Sequence, residues 1–102
     1  VKIYIAGPIT GIQNYNRKAF RDVEVLLTGW GHTVFNPCKH IPTKNPDSIK
    51  HEDYMKISMA MIDLCDAVWM LPGWTKSKGA TAEAEYAIEN HKPVFDLMGV
   101  SE

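Results

Sequence analysis

The chain has 102 residues, 45% of them hydrophobic and 23% charged, with a formal net charge of -1 at pH 7. That length suits one domain with a modest core, and lysines and arginines that alternate with acids exclude the basic footprint expected of a protein bound to a nucleic-acid polymer. Strand-sized apolar runs exclude a membrane span, and two cysteines, Cys38 and Cys65, are too few for a disulfide framework and fit a reducing, cytoplasmic setting.

Lys2 to Ala6 reads as a first strand, ended by Gly7-Pro8 and Gly11. These opening residues are too short for a secretion signal. Apolar residues then recur at Ala19, Phe20, Val23, Leu26, Leu27 and Trp30, the spacing of a helix. Asn14 or Asn16 is its candidate cap, and Gly29 or Gly31 its stop. Thr33-Val34-Phe35 is a short second strand, closed by Asn36-Pro37.

Asn36 to Ser48, rich in Pro, Lys, Asn and His, has no periodicity and predicts a long loop, either a cover for a binding site or a surface excursion. A second helix runs from about Ile49 to Leu64, capped by Asp47 or Ser48. One of its faces must cover the sheet. A second apolar face carrying Met55, Met59 and Met61 predicts burial against another subunit, hence a homodimer or higher homo-oligomer. Cys38, His40, His51 and Cys65 lack the paired spacing of a zinc site, so no metal is expected.

Ala67 to Leu71 is a third strand, Gly79 to His91 a third helix, and Pro93-Val94-Phe95 a fourth strand. Short continuous strands alternating with helices predict an α/β fold. The expected architecture is a doubly wound, Rossmann- or flavodoxin-like parallel sheet of four or five strands, order 2-1-3-4, with helices on both faces.

In such a sheet the ligand crevice lies beyond the carboxyl ends of the strands. Ser77-Lys78-Gly79-Ala80-Thr81-Ala82-Glu83 occupies that position, a small-polar turn opening a helix. Its backbone amides can face an anion. Glu83, on the first helical turn and held ionised by the helix dipole, can attack an electrophilic carbon. Its other reading is that of one more glutamate on a wet helix face, like Glu85 and Glu89, since it borders the stripe of Ala80, Ala84, Ala87, Ile88 and His91. Ser77 and Thr81 either donate to a phosphate or cap the helix, and Tyr4 either packs or extends its hydroxyl toward the crevice. The first turn, Ala6 to Gly11, is not G-x-G-x-x-G, so no dinucleotide cofactor is expected.

Several segments in chain order resemble the nucleoside 2-deoxyribosyltransferase-like superfamily, in particular a small branch found in phages and bacteria. They are Tyr4-Ile5-Ala6-Gly7-Pro8, Asn16 with Phe20, Gly31 to Pro37, Cys65-Asp66-Ala67-Val68, Leu71-Pro72-Gly73-Trp74, and Ser77-Lys78-Gly79-Ala80 followed by Glu83. The resemblance implies that residues 1–102 form a single domain of this kind. It also implies hydrolysis or transfer at the N-glycosidic bond of a nucleoside or nucleoside 5'-monophosphate. Glu83, in Glu83-Ala84-Glu85-Tyr86-Ala87, is then the nucleophile, and Tyr4 orients it. Ala6, Gly7 and Pro8, with Ser58, Ser77, Gly79 and Tyr86, form the implied substrate-binding set, Ser77 contacting a 5'-phosphate. The implied partner is a small nucleoside or nucleotide, with no cofactor.

Two positions depart from the family pattern. The family carries an aspartate eight residues before the position of Asp66, where this chain has Ser58; Asp53 and Asp63 lie five residues to either side of it. The glycine of the E-x-G-Y motif is Glu85. Both changes bear on turnover more than on binding, so a non-catalytic nucleotide binder on the same fold is the alternative.

Overall fold

A computed structural model describes residues 1–9, 13–40 and 50–96. Their elements are β1 (Lys2–Ala6), α1 (Arg17–Gly29), β2 (Thr33–Phe35), α2 (His51–Leu64), β3 (Ala67–Met70), α3 (Lys78–Glu89) and β4 (Val94–Asp96), with short 3-10 turns at Gln13–Asn16, Pro37–His40 and Trp74–Lys76. The four strands form one parallel sheet of order β2-β1-β3-β4. This is the expected α/β fold, with four strands among the described residues.

The alternation along β1 divides the core. Ile3 and Ile5 point to one face, where they meet Phe20, Val23 and Leu27 of α1 and Leu71. Tyr4 and Ala6 point to the other, toward Ile62 of α2 and Ala80, Ala84 and Ala87 of α3. Successive side chains of a strand alternate faces, so one central strand organises both layers.

The small residues of α3 bring its axis close to the sheet. Its buried stripe is Ala80, Glu83, Ala84 and Ala87, at the i, i+3, i+4, i+7 spacing of a core-facing helix. Ile88 is exposed, and His91 lies beyond the helix end in the left-handed region with φ 61°. The expected stripe is therefore shifted, and Glu83 lies within it.

Several ends differ from the sequence reading. Asn16 stands at the α1 N-cap position with φ 61°, but its side chain donates to the Pro8 carbonyl at 2.9 Å rather than capping the helix. Leu26 and Trp30, counted with the apolar face of α1, are exposed. The methionine face of α2 is in part internal: Met55 Sδ approaches Gly79, and Met61 packs on the core shared with α3. Ile57 and Leu64 are the large apolar residues that α2 exposes. Gly11, the expected caps Asp47 and Ser48, Ile49 and most of the expected 36–48 loop lie outside the described residues.

Candidate active site

At the carboxyl end of the sheet the chain leaves β1 through Gly7. A Cβ on Gly7 would stand 2.7 Å from Leu71 Cβ, so glycine lets the first turn lie against the residue following β3. The Leu71 amide donates to the Ala6 carbonyl at 2.8 Å, extending the β1–β3 pairing to the crevice. Pro8 lies over Gly73, with 3.8 Å between Pro8 Cγ and an added Gly73 Cβ.

Below this rim is a buried polar cluster. Tyr4 Oη donates to Glu83 Oε2 at 2.6 Å. Tyr4 is 0% exposed, Glu83 3% and Ser58 of α2 2%. Three polar side chains from β1, α2 and α3 thus meet inside a layer that is otherwise apolar. The Ser58 hydroxyl, from α2, acts on both Glu83 and Tyr4 and favours the charged form of each.

Electrostatics follow from that burial. Removal from water disfavours the Glu83 carboxylate and pushes its pKa up to about 7, against the pull of the hydrogen bonds from Tyr4 and Ser58, which favour the charged form. Burial and the adjacent carboxylate drive the Tyr4 phenol well above its ordinary range. The expectation that the helix dipole keeps Glu83 ionised is corrected here. Glu83 is the sixth residue of α3, in its second turn, and the dipole fades within the first. Desolvation dominates.

The remaining expected site residues lie around this cluster at different depths. Ser77 is the N-cap of α3, its Oγ accepting from the Ala80 amide at 3.2 Å, and Thr81 Oγ1 donates to the Ser77 carbonyl at 2.7 Å. Ser77, Thr81, Lys76 and Lys78 line a surface concavity at the start of α3. Gly79 faces His51 and Met55 of α2. Tyr86 points away from the cluster, its Oη donating to Asp63 Oδ1 at 2.6 Å. Asp53 is exposed and pairs at 3.8 Å with Lys56. Neither aspartate enters the site.

One residue beside Glu83 was not singled out from the sequence. Tyr54 of α2, one helical turn before Ser58, has a buried hydroxyl on which the Glu83 charge acts. The signal available was that spacing: residues i and i+4 share a helix face. Among the described residues, no group of three or more His, Cys, Asp or Glu side chains is placed to hold a metal ion. No helix among them is long and apolar enough to cross a membrane.

The chain belongs to the family described as Domain of unknown function (DUF4406), which matches residues 1–96. Among solved structures it is similar to a 2-deoxyribosyltransferase from Bacillus psychrosaccharolyticus, with TM-score 0.74 and 23% identity over 94% of this chain and 71% of that one. It is also similar to the CMP N-glycosidase BcmB of Clostridium botulinum, with TM-score 0.65 and 18% identity over 94% of this chain and 67% of that one. At these identities the likeness is one of fold. A search of curated proteins finds no match.

Proposed function

We propose that this DUF4406 protein cleaves or exchanges the N-glycosidic bond of a nucleoside or nucleoside 5'-monophosphate, with Glu83 as the nucleophile. The observation that carries the reading is the buried Tyr4–Glu83 bond of 2.6 Å at the strand-end crevice. A carboxyl placed at that depth carries a desolvation cost that a merely structural role would avoid. The two enzymes that share the fold are a 2-deoxyribosyltransferase suited to nucleoside synthesis and a CMP N-glycosidase, which supports the same substrate class here.

The chemistry parallels retaining glycoside hydrolysis. One Glu83 oxygen attacks C1' as the C1'–N bond breaks, and the bonding pair leaves with the base. Water, or a second base, then attacks C1' of the glycosyl ester and restores the carboxylate. Tyr4 holds the other carboxylate oxygen and so fixes the attacking one. Ala6, Gly7 and Pro8 form the sugar side of the crevice, Ser77 and Gly79 the phosphate side, and Tyr86 supports the helix that carries Glu83. Ser58 orients the carboxylate and is too weak an acid to protonate the leaving base near neutrality. General acid catalysis is worth ~100- to 10,000-fold, so turnover is slow without it.

The test is chromatography of a panel of nucleosides and 5'-monophosphates after incubation with the protein. Free base is expected from the wild type and none from Glu83→Gln with the fold intact. Absence of base release across the panel removes the catalytic reading. Ser58 at the position where the superfamily carries an acid favours a second reading, a non-catalytic nucleotide binder. Calorimetric binding without turnover, unchanged in Glu83→Gln, would select it. We further infer a cytoplasmic single-domain homo-oligomer, to be checked by light scattering at micromolar concentration; a monomer there rejects the oligomer.

A further inference from the structure

The base departs with the bonding pair of the C1'–N bond, and Ser58 stands where an acid would protonate it. The same face of α2 carries an imidazole nearer the crevice mouth. His51, Met55, Ser58 and Ile62 recur at i, i+4, i+7 and i+11, the spacing of one helix face. Ser58 and Ile62 are the buried residues of that helix. Ile62 packs in the core shared with Ala80, Ala84 and Ala87 of α3, so this face of α2 looks toward α3. Glu52 and Asp53, the carboxylates of the first turn, are one and two residues on and project from other faces.

The ends of the two helices show how they lie. At their amino ends a Cβ on Gly79 would stand 3.5 Å from His51 Cε1 and 3.6 Å from Met55 Sδ. Toward their carboxyl ends Tyr86 Oη meets Asp63 Oδ1 at 2.6 Å. The helices thus run side by side in the same direction, with His51 against Gly79 at the junction after β3, where the crevice of such a sheet opens. Gly79 and Glu83 are four residues apart in α3 and share a face, Gly79 about 6 Å nearer the helix start. The imidazole therefore stands one helical turn from the buried carboxyl, on the mouth side, and is itself exposed. The paired groups of retaining glycosidases flank the scissile bond about 5–5.5 Å apart, a span of the same order.

We propose that His51 protonates the departing base, supplying from the first residue of α2 the proton that Ser58 does not. The assignment rests on the N-glycosidic reading above. As Glu83 bonds to C1', the C1'–N pair passes to the base. The imidazolium N–H proton goes to a ring nitrogen of a purine or the carbonyl oxygen of a pyrimidine, and a neutral base leaves. Water attacking C1' of the ester then gives a proton back to the imidazole and frees the carboxylate. Imidazole is the side chain most used for such exchange near neutrality.

The test compares His51→Gln with wild type on the nucleoside or 5'-monophosphate that loses its base fastest, and on the same compound with an activated base. A 7-methylated purine leaves as a neutral base without taking a proton, and a 5-fluorinated pyrimidine carries the departing charge better. His51→Gln is expected to lower kcat on the ordinary substrate on the order of 100-fold, to keep kcat on the activated one within about 10-fold of wild type, and to change KM little. Because the readout is a ratio within one variant, loss of folded protein cannot produce it. Equal falls on both substrates show that His51 supports the fold or the substrate's position, and overturn the acid. Wild-type kcat in His51→Gln, while Glu83→Gln abolishes release, overturns the acid and leaves the proposed function standing. A wild type that releases no base from any nucleoside or monophosphate overturns both.

Discussion

The Tyr4–Glu83 pair defines the chemistry at the scale of single residues. A carboxyl pushed up to about 7 by burial is partly protonated at neutral pH, and only the ionised form can attack carbon. Base release by wild type is therefore expected to rise with pH through about 7. Tyr4 donates to the carboxylate and so favours its charged form. Tyr4→Phe removes that donor, and the acid limb of the pH–kcat/KM profile should move to higher pH. A limb that stays in place in Tyr4→Phe would separate the tyrosine from the ionisation of Glu83. The family resemblance gave Tyr4 and Glu83 a shared role; from the residues alone each kept a second reading, a packed tyrosine and one more glutamate on a wet helix face. Tyr54 had no such mark: a tyrosine in an amphipathic helix is ordinary until its hydroxyl is found buried and unpaired.

At the scale of elements, the crevice depends on two local devices. Gly7 permits the close approach of the first turn to Leu71, with no room for a Cβ. Gly7→Ala is expected to cost about 1–3 kcal/mol in urea denaturation, the usual cost of overpacking a filled space. A neutral result would show that the β1 and β3 ends separate freely. Ser77 caps α3 through its Oγ. Ser77→Ala should lose about 1 kcal/mol of stability, and Ser77→Gly only a few tenths. The glycine variant thus separates the cap from any phosphate contact, since a rise in KM for monophosphates with stability retained reports the ligand alone. Element order and type were readable from spacing, including β2 as Thr33–Phe35 and β1 as Lys2–Ala6. The helix ends were less so, because Asn16 spends its side chain on Pro8 rather than on its own helix.

For the whole molecule, Glu83 ties the chemistry to folding. Its pKa is raised in the fold from 4.5 to about 7, so the folded state binds the proton more tightly than the unfolded chain. The associated stabilisation is fully present below pH 4.5 and is lost as pH rises through about 7. Between those limits wild type should lose on the order of 3 kcal/mol of folding free energy, and Glu83→Gln should remove that slope and exceed wild type in stability at pH 8. Denaturation curves of both proteins across this range test it; parallel pH profiles would show that the buried carboxyl carries no such linkage.

The alternation Ile3-Tyr4-Ile5-Ala6, the helical spacing of Phe20, Val23 and Leu27, and the handedness of parallel crossovers were sufficient to determine the layers and the strand order, because these are properties of short stretches and of chain connectivity. The state of Glu83 was not determined there. Its ionisation is set by how closely α2 and α3 close over β1, and its hydrogen-bond partner is 79 residues away in the chain. The buried Tyr54 hydroxyl belongs to the same class of fact, since desolvation and partnership exist only once separate elements have packed.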